Sequence, residues 1–392
     1  MNVFPAILVG GPPHSGKSVL VYNLTQALRK KQSAHYVLPA CPDGEGDWSQ
    51  EAERGLAQVL RVKGKFNENF VTRTSRAIQE RHMPLLVDVG GRPTAEQQNM
   101  FAYCSHAILL IRDDKDNPAA YQQDLAHWQQ MLTKQNVSII AQLKSRLHGD
   151  QELISQEPIV SGIVTNLERG KEIKGMVLDA LVAKLSTLFA FSDEQLAAVH
   201  LSQAPVELAL DLPVLARTLG SLDGRWQPTQ LPDVQTYLPE GVALGLYGRS
   251  PNWLNAFLAI QAYPEPVWLF NPRDGWVRAP QFPLVAALTT KGQAGWHAEQ
   301  KITDAYTLLT LKTSAQLLDI DQPALLPLPL PQGDLGLVIS GRVPHWLMAG
   351  AARQLAQYVP WIAIFYPPMK SAVVVFAVDN QQKVGSVMPI IV

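Results

Sequence analysis

The stretch GPPHSGKS, which begins at Gly11, has the residue types and spacing of a phosphate-binding loop. It fits the pattern of a glycine, four residues of any type, a glycine, a lysine and a serine or threonine. Backbone amides of Gly11, Ser15 and Gly16 would surround the phosphates. The Lys17 ammonium would face the β- and γ-phosphate oxygens, and the Ser18 hydroxyl would ligate magnesium. The sequence therefore predicts a site for ATP and Mg²⁺.

Acidic side chains follow two apolar runs of the same region. Asp88, in PLLVDVGG, ends a predicted strand, where it either holds magnesium through water or closes a turn. Four acids follow an earlier run, in PACPDGEGDWSQE: Asp43, Glu45, Asp47 and Glu51. Parallel strands present their carboxyl ends to a ligand, so Asp43 and Glu45 are candidates to activate water or a phosphoryl acceptor. A solvated acidic loop ahead of a helix explains them equally well.

Asn166, in SGIVTNLERG, follows a later predicted strand, at a place where several P-loop proteins read the nucleotide base. An ordinary loop asparagine is an equal interpretation. Pro12 occupies the position of the lysine found in the deviant loops of partition ATPases, which counts against their dimer mechanism.

Two similar heptapeptides lie in the second half of the chain: GRSPNWL at 248–254 and GRVPHWL at 341–347. Each sits between an apolar strand pattern and a helical pattern, and each helix leads to a further strand. Upstream, PVELALD and YTLLTLK are typical of a first strand for each copy. We therefore predict a duplicated supersecondary unit.

The repeated Gly-Arg turn has the groups that bind an anion. A turn that leads into a helix offers backbone amides and a guanidinium to a phosphate, and a nearby indole can stack on a base. The alternative is that Trp253 and Trp346 are core residues and that Arg249 and Arg342 pair with surface carboxylates.

Alternating apolar runs and helical patterns over the first 200 residues predict an α/β domain with a mostly parallel sheet and flanking helices. Beyond residue 200 lie 20 of the 29 prolines and seven of the nine tryptophans. We place a P-loop nucleotide-binding domain at 1–198 and two small α+β repeats at 199–288 and 289–392.

Composition restricts the function classes. The net charge of −1 gives no field to attract duplex nucleic acid or an anionic membrane, so neither is expected as a partner. No apolar run reaches the roughly 18 residues of a membrane span, and the first residues lack the pattern of a signal peptide. Cys41 and Cys104 have no disulfide or metal-ligand spacing, which suits a reducing compartment. We expect a cytoplasmic protein.

The segment VISGRVPHWLMAGAARQLAQYVPWIAIFYPPMKSAVVVF resembles the core of the CRISPR-associated Csx3 family of ring nucleases. The family pattern is an apolar strand, Ser-Gly-Arg-x-Pro-x-Trp-Leu, a helix, an apolar strand, Asp-Pro-Arg and a further strand. Ser340 begins the match in the second copy, whereas Tyr247 replaces that serine in the first. The family also occurs fused to an AAA-type P-loop domain, which GPPHSGKS and CPDGEGDW resemble.

The resemblance implies binding of cyclic tetra-adenylate between subunits and manganese-stimulated phosphodiesterase cleavage of that ring. It therefore implies a cyclic oligoadenylate partner, a homo-oligomer, and Mn²⁺ beside the Mg²⁺ of the ATP site. The ring-binding residues that it implies are Gly248, Arg249, Trp253, Ser340, Gly341, Arg342, His345 and Trp346.

The chain departs from the family at the catalytic positions. Asn271 and Tyr366 stand where the family has the aspartate of Asp-Pro-Arg. The family's histidine falls near Tyr263 in the first copy and near Gln357 or Tyr358 in the second. An amide cannot act as a general base. We therefore expect ring binding without cleavage by the family's route.

Two alternative enzymes remain open at this stage. One is an active ring nuclease with relocated catalytic groups, for which His345, His297 and Asp304 are candidates. The other is a nucleotide or small-molecule kinase, in which the loop from Asp43 to Asp47 holds the acceptor.

Overall fold

The computed structural model describes residues 3–40, 68–113, 117–221, 223–286, 296–313, 326–331, 334–378 and 382–390. The acidic candidates Asp43, Glu45, Asp47 and Glu51 lie outside these ranges. The chain divides into two compact units: unit 1 comprises Met1–Leu196 with Pro272–Asp274, and unit 2 comprises Ala197–Asn271 with Gly275–Val392.

Unit 1 contains a sheet and helices whose bounds are as follows. The strands are β1 (Ala6–Gly10), β2 (Tyr36–Ala40), β3 (Leu85–Val89), β4 (His106–Arg112), β5 (Ser138–Arg146), β6 (Glu152–Ser155) and β7 (Val160–Thr165). The helices are α1 (Lys17–Lys30), α2 (Glu68–Gln79), α3 (Ala95–Gln98), α4 (Pro118–Lys134) and α5 (Met176–Leu188). Helix α6 (Asp193–Ser202) passes from unit 1 into unit 2.

The sheet of unit 1 has the order β2-β3-β1-β4-β5-β7-β6, and only β6 runs antiparallel to its neighbour. Every residue of β1 and β3 is buried, as expected for continuous apolar runs covered on both faces. Two hydrophobic clusters lie on the two faces: one includes Leu24 of α1, and the other includes Trp128 of α4. The predicted α/β class with a large, mostly parallel sheet is confirmed.

The described residues of unit 2 form two further sheets, a short strand pair and four helices. Its strands are β8 (Leu208–Asp211), β9 (Leu244–Tyr247), β10 (Val267–Asn271), β11 (Gly275–Arg278), β12 (Leu284–Val285), β13 (Trp296–Ile302), β14 (Tyr306–Thr313), β15 (Leu328–Pro329), β16 (Gly336–Arg342), β17 (Trp361–Tyr366), β18 (Ser371–Ala377) and β19 (Val387–Pro389). Its helices are α7 (Leu212–Thr218), α8 (Leu231–Tyr237), α9 (Asn252–Gln261) and α10 (His345–Leu355).

The two sheets of unit 2 share a four-stranded arrangement. In the first, β8, β9 and β10 are parallel neighbours and β11 is antiparallel to β10. In the second, β14, β16 and β17 are parallel neighbours and β18 is antiparallel to β17. Each copy has one helix between its second and third strands, α9 or α10. The second sheet extends this arrangement with β13 and β19 at its edges.

Helices α9 and α10 pack side by side, and α9 also packs against β17 and β18 of the second sheet. At one end of the pair, Asn255 Nδ2 lies 3.1 Å from His345 Nδ1. At the other end, Tyr263 Oη donates to Gln357 Oε1 over 3.2 Å. These contacts join the amino-terminal ends and the carboxyl-terminal ends respectively, so the two helices are parallel.

No helix in the part of the chain that the structure describes is long and apolar enough to cross a membrane.

Candidate functional site

The loop between β1 and α1 is shaped by glycines that lack room for a side chain. Gly11 has φ of +150°, and a Cβ there would lie 2.0 Å from the Leu110 carbonyl oxygen. Gly16 caps α1 in the left-handed region with φ of +91°, and a Cβ there would lie 2.7 Å from Leu167 Cβ. Gly16 has no side chain to occupy the first amides of α1, so these donors remain available to an anion.

Two polar side chains of this loop are buried. Ser15 is 1% exposed, and its hydroxyl has no hydrogen-bond partner among the described residues. Lys17 is 8% exposed, and its Nζ donates to the Pro12 carbonyl oxygen over 2.8 Å. A buried hydroxyl without a partner costs free energy unless a ligand completes its hydrogen bond. The loop thus combines the start of a helix that no side chain caps, a buried cation and an unpaired hydroxyl, which are groups that can bind a phosphate.

The structure places Asp88 on the strand beside the loop. Strand β3 is the direct neighbour of β1, with Asp88 opposite Val9, and Asp88 is 4% exposed. Ser18 is the second residue of α1, one step beyond Lys17. The described residues contain no group of three histidine, cysteine or acidic side chains that could hold a metal ion alone. A hydroxyl and a carboxylate fit Mg²⁺ that also binds phosphate oxygens and water.

Asn166 follows β7, on the sheet edge where the parallel strands end. It is exposed, its backbone is left-handed with φ of +59°, and its Nδ2 lies 3.3 Å from Thr165 Oγ1. The next residue, Leu167, packs against Gly16 of the loop. The structure therefore brings the segment that contains Asn166 to the Gly11–Ser18 loop.

In unit 2 the first Gly-Arg turn follows β9, whereas the second consists of the last two residues of β16, and both glycines have backbones that other residues rarely adopt. Gly248 has φ of +94°, and a Cβ there would meet Pro213 Cδ at 2.4 Å. Gly341 has φ of +143°, and a Cβ there would meet the Leu311 carbonyl oxygen at 1.8 Å. Arg249 and Arg342 are exposed, and neither forms an ion pair within the described ranges.

Both Gly-Arg turns lie at the same end of the helix pair. Each turn leads directly into its helix, with Pro251 before α9 and Pro344 before α10. Because the helices are parallel and packed together, the two arginines belong to one face of unit 2. The His345 residue as a whole is exposed at this end, and partial desolvation of its ring by the surrounding protein lowers its pKa below the ordinary value.

The two tryptophans of the heptapeptides are core residues. Trp253 is 1% exposed and Trp346 is 5% exposed, and both belong to the single hydrophobic cluster that joins the two copies. Neither indole is available to stack on a base from solvent. Ser340 is also buried, at 6% exposed, in the strand that leads to the second turn.

The positions to which the resemblance assigns the family's catalytic aspartate and histidine lie at opposite edges of the sheets. Asn271 and Tyr366 end β10 and β17, beside the Gly-Arg turns. Tyr263 and Gln357 follow the helices and precede those strands, at the other edge. A strand of five residues spans about 17 Å, so neither copy brings the two positions together. Tyr263, Gln357 and Tyr358 instead line a cavity of ≈ 240 Å³ with Arg353, which donates to the Pro264 carbonyl oxygen.

Sequence reasoning did not identify Lys312 as a neighbour of the second turn. Lys312 lies opposite Arg342 in the register of β14 and β16, and His297 lies opposite Lys312 on β13. Residues opposite each other point to the same face of a sheet, and all three are exposed. Asp304 precedes β14 and lies at the other edge of the sheet. The position of Lys312 beside Arg342 depends on the pairing of strands that are distant in sequence, and no local sequence motif indicates it.

The first copy has an aromatic cluster beside its turn, which the sequence indicated only through the replacement of serine by Tyr247. The hydroxyl of Tyr247 lies 3.0 Å from Nδ1 of His200. The His200 ring stacks on Phe270 with 4.1 Å between centroids, and Trp276 Nε1 donates to the His200 carbonyl oxygen. Tyr247, Phe270 and Trp276 are each partly exposed and give the first turn an aromatic surface. In the second copy, Ser340 occupies the position of Tyr247 and offers no aromatic ring.

Comparison with known families identifies one part of the chain. The fold defines an α/β protein with a large, mostly parallel sheet in unit 1 and mixed sheets in unit 2. A family model described as CRISPR-associated protein (Cas_csx3) matches residues 313–389, which span β15 to β19 with α10. The matched segment is similar to this family, and the match indicates a CRISPR-associated role. No curated protein matches the chain.

Proposed function

We propose that this CRISPR-associated protein binds and hydrolyses ATP at the Gly11–Ser18 loop and recognises cyclic oligoadenylate at the two Gly-Arg turns of unit 2. Cyclic tetra-adenylate is the first candidate ring, as the Csx3 resemblance implies. The observation that carries the proposal is the parallel packing of α9 and α10, which puts both exposed arginines at one end.

The nucleotide part is supported by the geometry of the loop. The amides at the start of α1, which no side chain caps, and the unpaired Ser15 hydroxyl would donate hydrogen bonds to phosphate oxygens. Lys17 would exchange its Pro12 carbonyl contact for the β- and γ-phosphates. Ser18 and Asp88 would hold the Mg²⁺ that neutralises charge during phosphoryl transfer. The bound metal would supply Lewis-acid activation of the phosphate.

The ring part is supported by charge and repetition. A cyclic oligoadenylate carries several equivalent phosphates, so a repeated turn meets two of them with matching guanidinium groups. The duplication would supply within one chain the interface that the family forms between subunits. Lys312, beside Arg342, would add a third cation. The aromatic surface around Tyr247 is a candidate platform for an adenine, in place of the buried indoles.

We also propose that unit 2 binds the ring without cleaving it by the family's route. Asn271 and Tyr366 offer no carboxylate beside the turns, and the positions assigned to the histidine are at the other sheet edge. A general base must lie within hydrogen-bond reach of the proton that it removes. The ring would then act as a signal that the protein senses.

Calorimetric titration of the full chain with cyclic tetra-adenylate and cyclic hexa-adenylate, each with and without ATP·Mg²⁺, tests both parts. We expect saturable binding of one ring and of ATP. Linear tetra-adenylate is the control for the ring shape. Failure of both rings to bind would overturn the ring part, and failure of ATP to bind would overturn the nucleotide part.

A further inference from the structure

Asn255 is the centre of a hydrogen-bonded chain between the two Gly-Arg turns. It is 2% exposed, in the first turn of α9. Ser250 Oγ donates to Asn255 Oδ1 over 2.9 Å, and Asn255 Nδ2 lies 3.1 Å from His345 Nδ1. Ser250 follows Arg249 directly, and His345 is the first residue of α10. The chain therefore runs from the first turn to the start of the helix that follows the second.

The orientation of the Asn255 amide bears on where the His345 ring carries its proton. The amide oxygen of Asn255 lies toward Ser250 Oγ and its NH₂ group lies toward His345 Nδ1. An NH₂ group is only a donor, so Nδ1 of His345 accepts, and the neutral ring carries its proton on Nε2. His345 remains an exposed residue on the same face as the two arginines.

The second copy cannot form an equivalent chain. At the position of Ser250 it has Val343, and at the position of Asn255 it has Met348. Neither side chain offers a hydrogen-bonding group of comparable strength. The buried polar bridge is thus a departure from the repeat and occupies the junction between the two turns.

We propose that Asn255 is a positioning residue that joins the two turns into one ligand surface and presents His345 Nε2–H to a phosphate of the cyclic oligoadenylate. The proposal rests on the proposed ring binding by unit 2. A neutral N–H donor adds a hydrogen bond between the two guanidinium groups without adding a third charge to that junction. Asn255 itself acts through His345 and does not contact the ring.

The first test is ¹⁵N NMR of the full chain with labelled histidine at pH 7.5, with the His345 signals assigned from the His345→Gln variant. We expect an unprotonated Nδ1 and a protonated Nε2. In Asn255→Met, which installs the residue of the second copy, we expect the two nitrogens to show tautomer averaging. A proton fixed on Nδ1 in the unchanged chain, or no change in Asn255→Met, would overturn the proposal.

The second test is calorimetric titration of the same proteins with cyclic tetra-adenylate. Loss of one hydrogen bond predicts about tenfold weaker binding for Asn255→Met and for His345→Asn. His345→Gln should stay within about threefold, because its amide reaches the position of Nε2 whereas that of asparagine reaches Nδ1. Met348→Leu is the matched control in the other helix and should bind as the unchanged chain does.

The outcomes separate this proposal from the proposed function. If the unchanged chain binds the ring and Asn255→Met binds equally well, the positioning role is wrong and ring binding stands. If the unchanged chain does not bind the ring, ring binding itself is wrong. Near-ultraviolet circular dichroism of each variant checks that a weaker affinity does not reflect a lost fold.

Discussion

The phosphate loop of unit 1 and the Gly-Arg turns of unit 2 both connect a strand to a helix through a glycine of positive φ, but their cations differ in exposure. Lys17 is buried and donates to a carbonyl of its own loop, whereas Arg249 and Arg342 are exposed. A buried cation can meet only an anion that enters the loop. Exposed guanidinium groups can meet a ligand larger than the turn. Under the proposed function, the same local connection would bind a terminal phosphate group in one unit and an extended ligand in the other.

The largest effect should come from the buried cation. Lys17→Ala removes the charge that faces the β- and γ-phosphates, so we expect the ATPase rate to fall by about 100-fold or more, the scale for losing a group that stabilises transition-state charge. Ring binding without ATP should not change. Phosphate release under steady-state conditions measures the first expectation.

The matched control is Lys30→Ala, which removes an exposed lysine at the other end of α1, where Lys30 pairs with Glu172. Exposed ion pairs contribute little, so this variant should keep its ATPase rate. If Lys17→Ala has the same ATPase rate as the unchanged chain, the buried Lys17 contributes no more to hydrolysis than the exposed Lys30 does.

The next effect concerns the two exposed arginines. Arg249→Ala or Arg342→Ala each deletes one charge-assisted hydrogen bond of about 1.5–3 kcal/mol, so ring affinity should fall roughly ten- to a hundredfold. The double variant should be weaker than either single variant, with additive losses if the contacts are independent. Calorimetric titration with cyclic tetra-adenylate measures the three values.

Arg278 offers the control for that series, because it is an exposed arginine of the first copy at the opposite sheet edge, paired with Trp268. Arg278→Ala should leave ring affinity within about twofold. If Arg249→Ala and Arg342→Ala behave in the same way as Arg278→Ala, the repeated heptapeptide is only the trace of a duplicated fold.

A smaller effect should distinguish the two copies. In the second copy, Lys312 lies beside Arg342. In the first copy, β8 ends in Asp211, a residue of the opposite charge whose side chain accepts a hydrogen bond from the Val214 amide at the start of α7. Lys312→Ala should weaken ring binding by about threefold, as expected for one exposed charge, and the loss should shrink as salt rises. Titrations at two salt concentrations check both expectations. A loss that is independent of salt would show that Lys312 acts other than through its charge.

The smallest effect is the dependence of stability on pH. Burial lowers the pKa of His35 and His106 in unit 1 and of His345 in unit 2. The unfolded chain, with histidine pKa values near ~6.5, then binds more protons than the folded chain. The histidines therefore stabilise the fold fully above about pH 6.5, and this stability is lost as pH falls through their folded pKa values. Urea unfolding at pH 7.5, 6.5 and 5.5 measures the trend, and His345→Gln should weaken it.

Local patterns predicted the parts of the molecule that depend on neighbouring residues. The apolar run before Gly11 and the glycines themselves predicted a strand, a tight loop and a helix, and the structure contains all three. The first strands of the repeats, at PVELALD and YTLLTLK, were also predicted and lie at β8 and β14. Such elements depend on side-chain periodicity and on backbone freedom, which the sequence records directly.

These local patterns could not predict contacts between segments that are distant in sequence. The burial of Trp253 and Trp346 depends on the packing of α9 against α10, and the position of Lys312 depends on the register of β14 with β16. The Asn255 bridge joins residues 90 positions apart. The sequence reports the types of these residues but not their partners, so it left the two indoles open between a core role and a binding role, and the buried amide of Asn255 was missed.

The fate of the ring after contact with the protein is the most direct measurement. The full chain is incubated with cyclic tetra-adenylate and Mn²⁺, and the bound and free nucleotides are separated and identified by mass. Saturable binding with recovery of the intact ring is the expected result, because Asn271 and Tyr366 provide no carboxylate where the family has its aspartate. Rapid, metal-stimulated conversion to linear adenylate, or absence of binding, would contradict it.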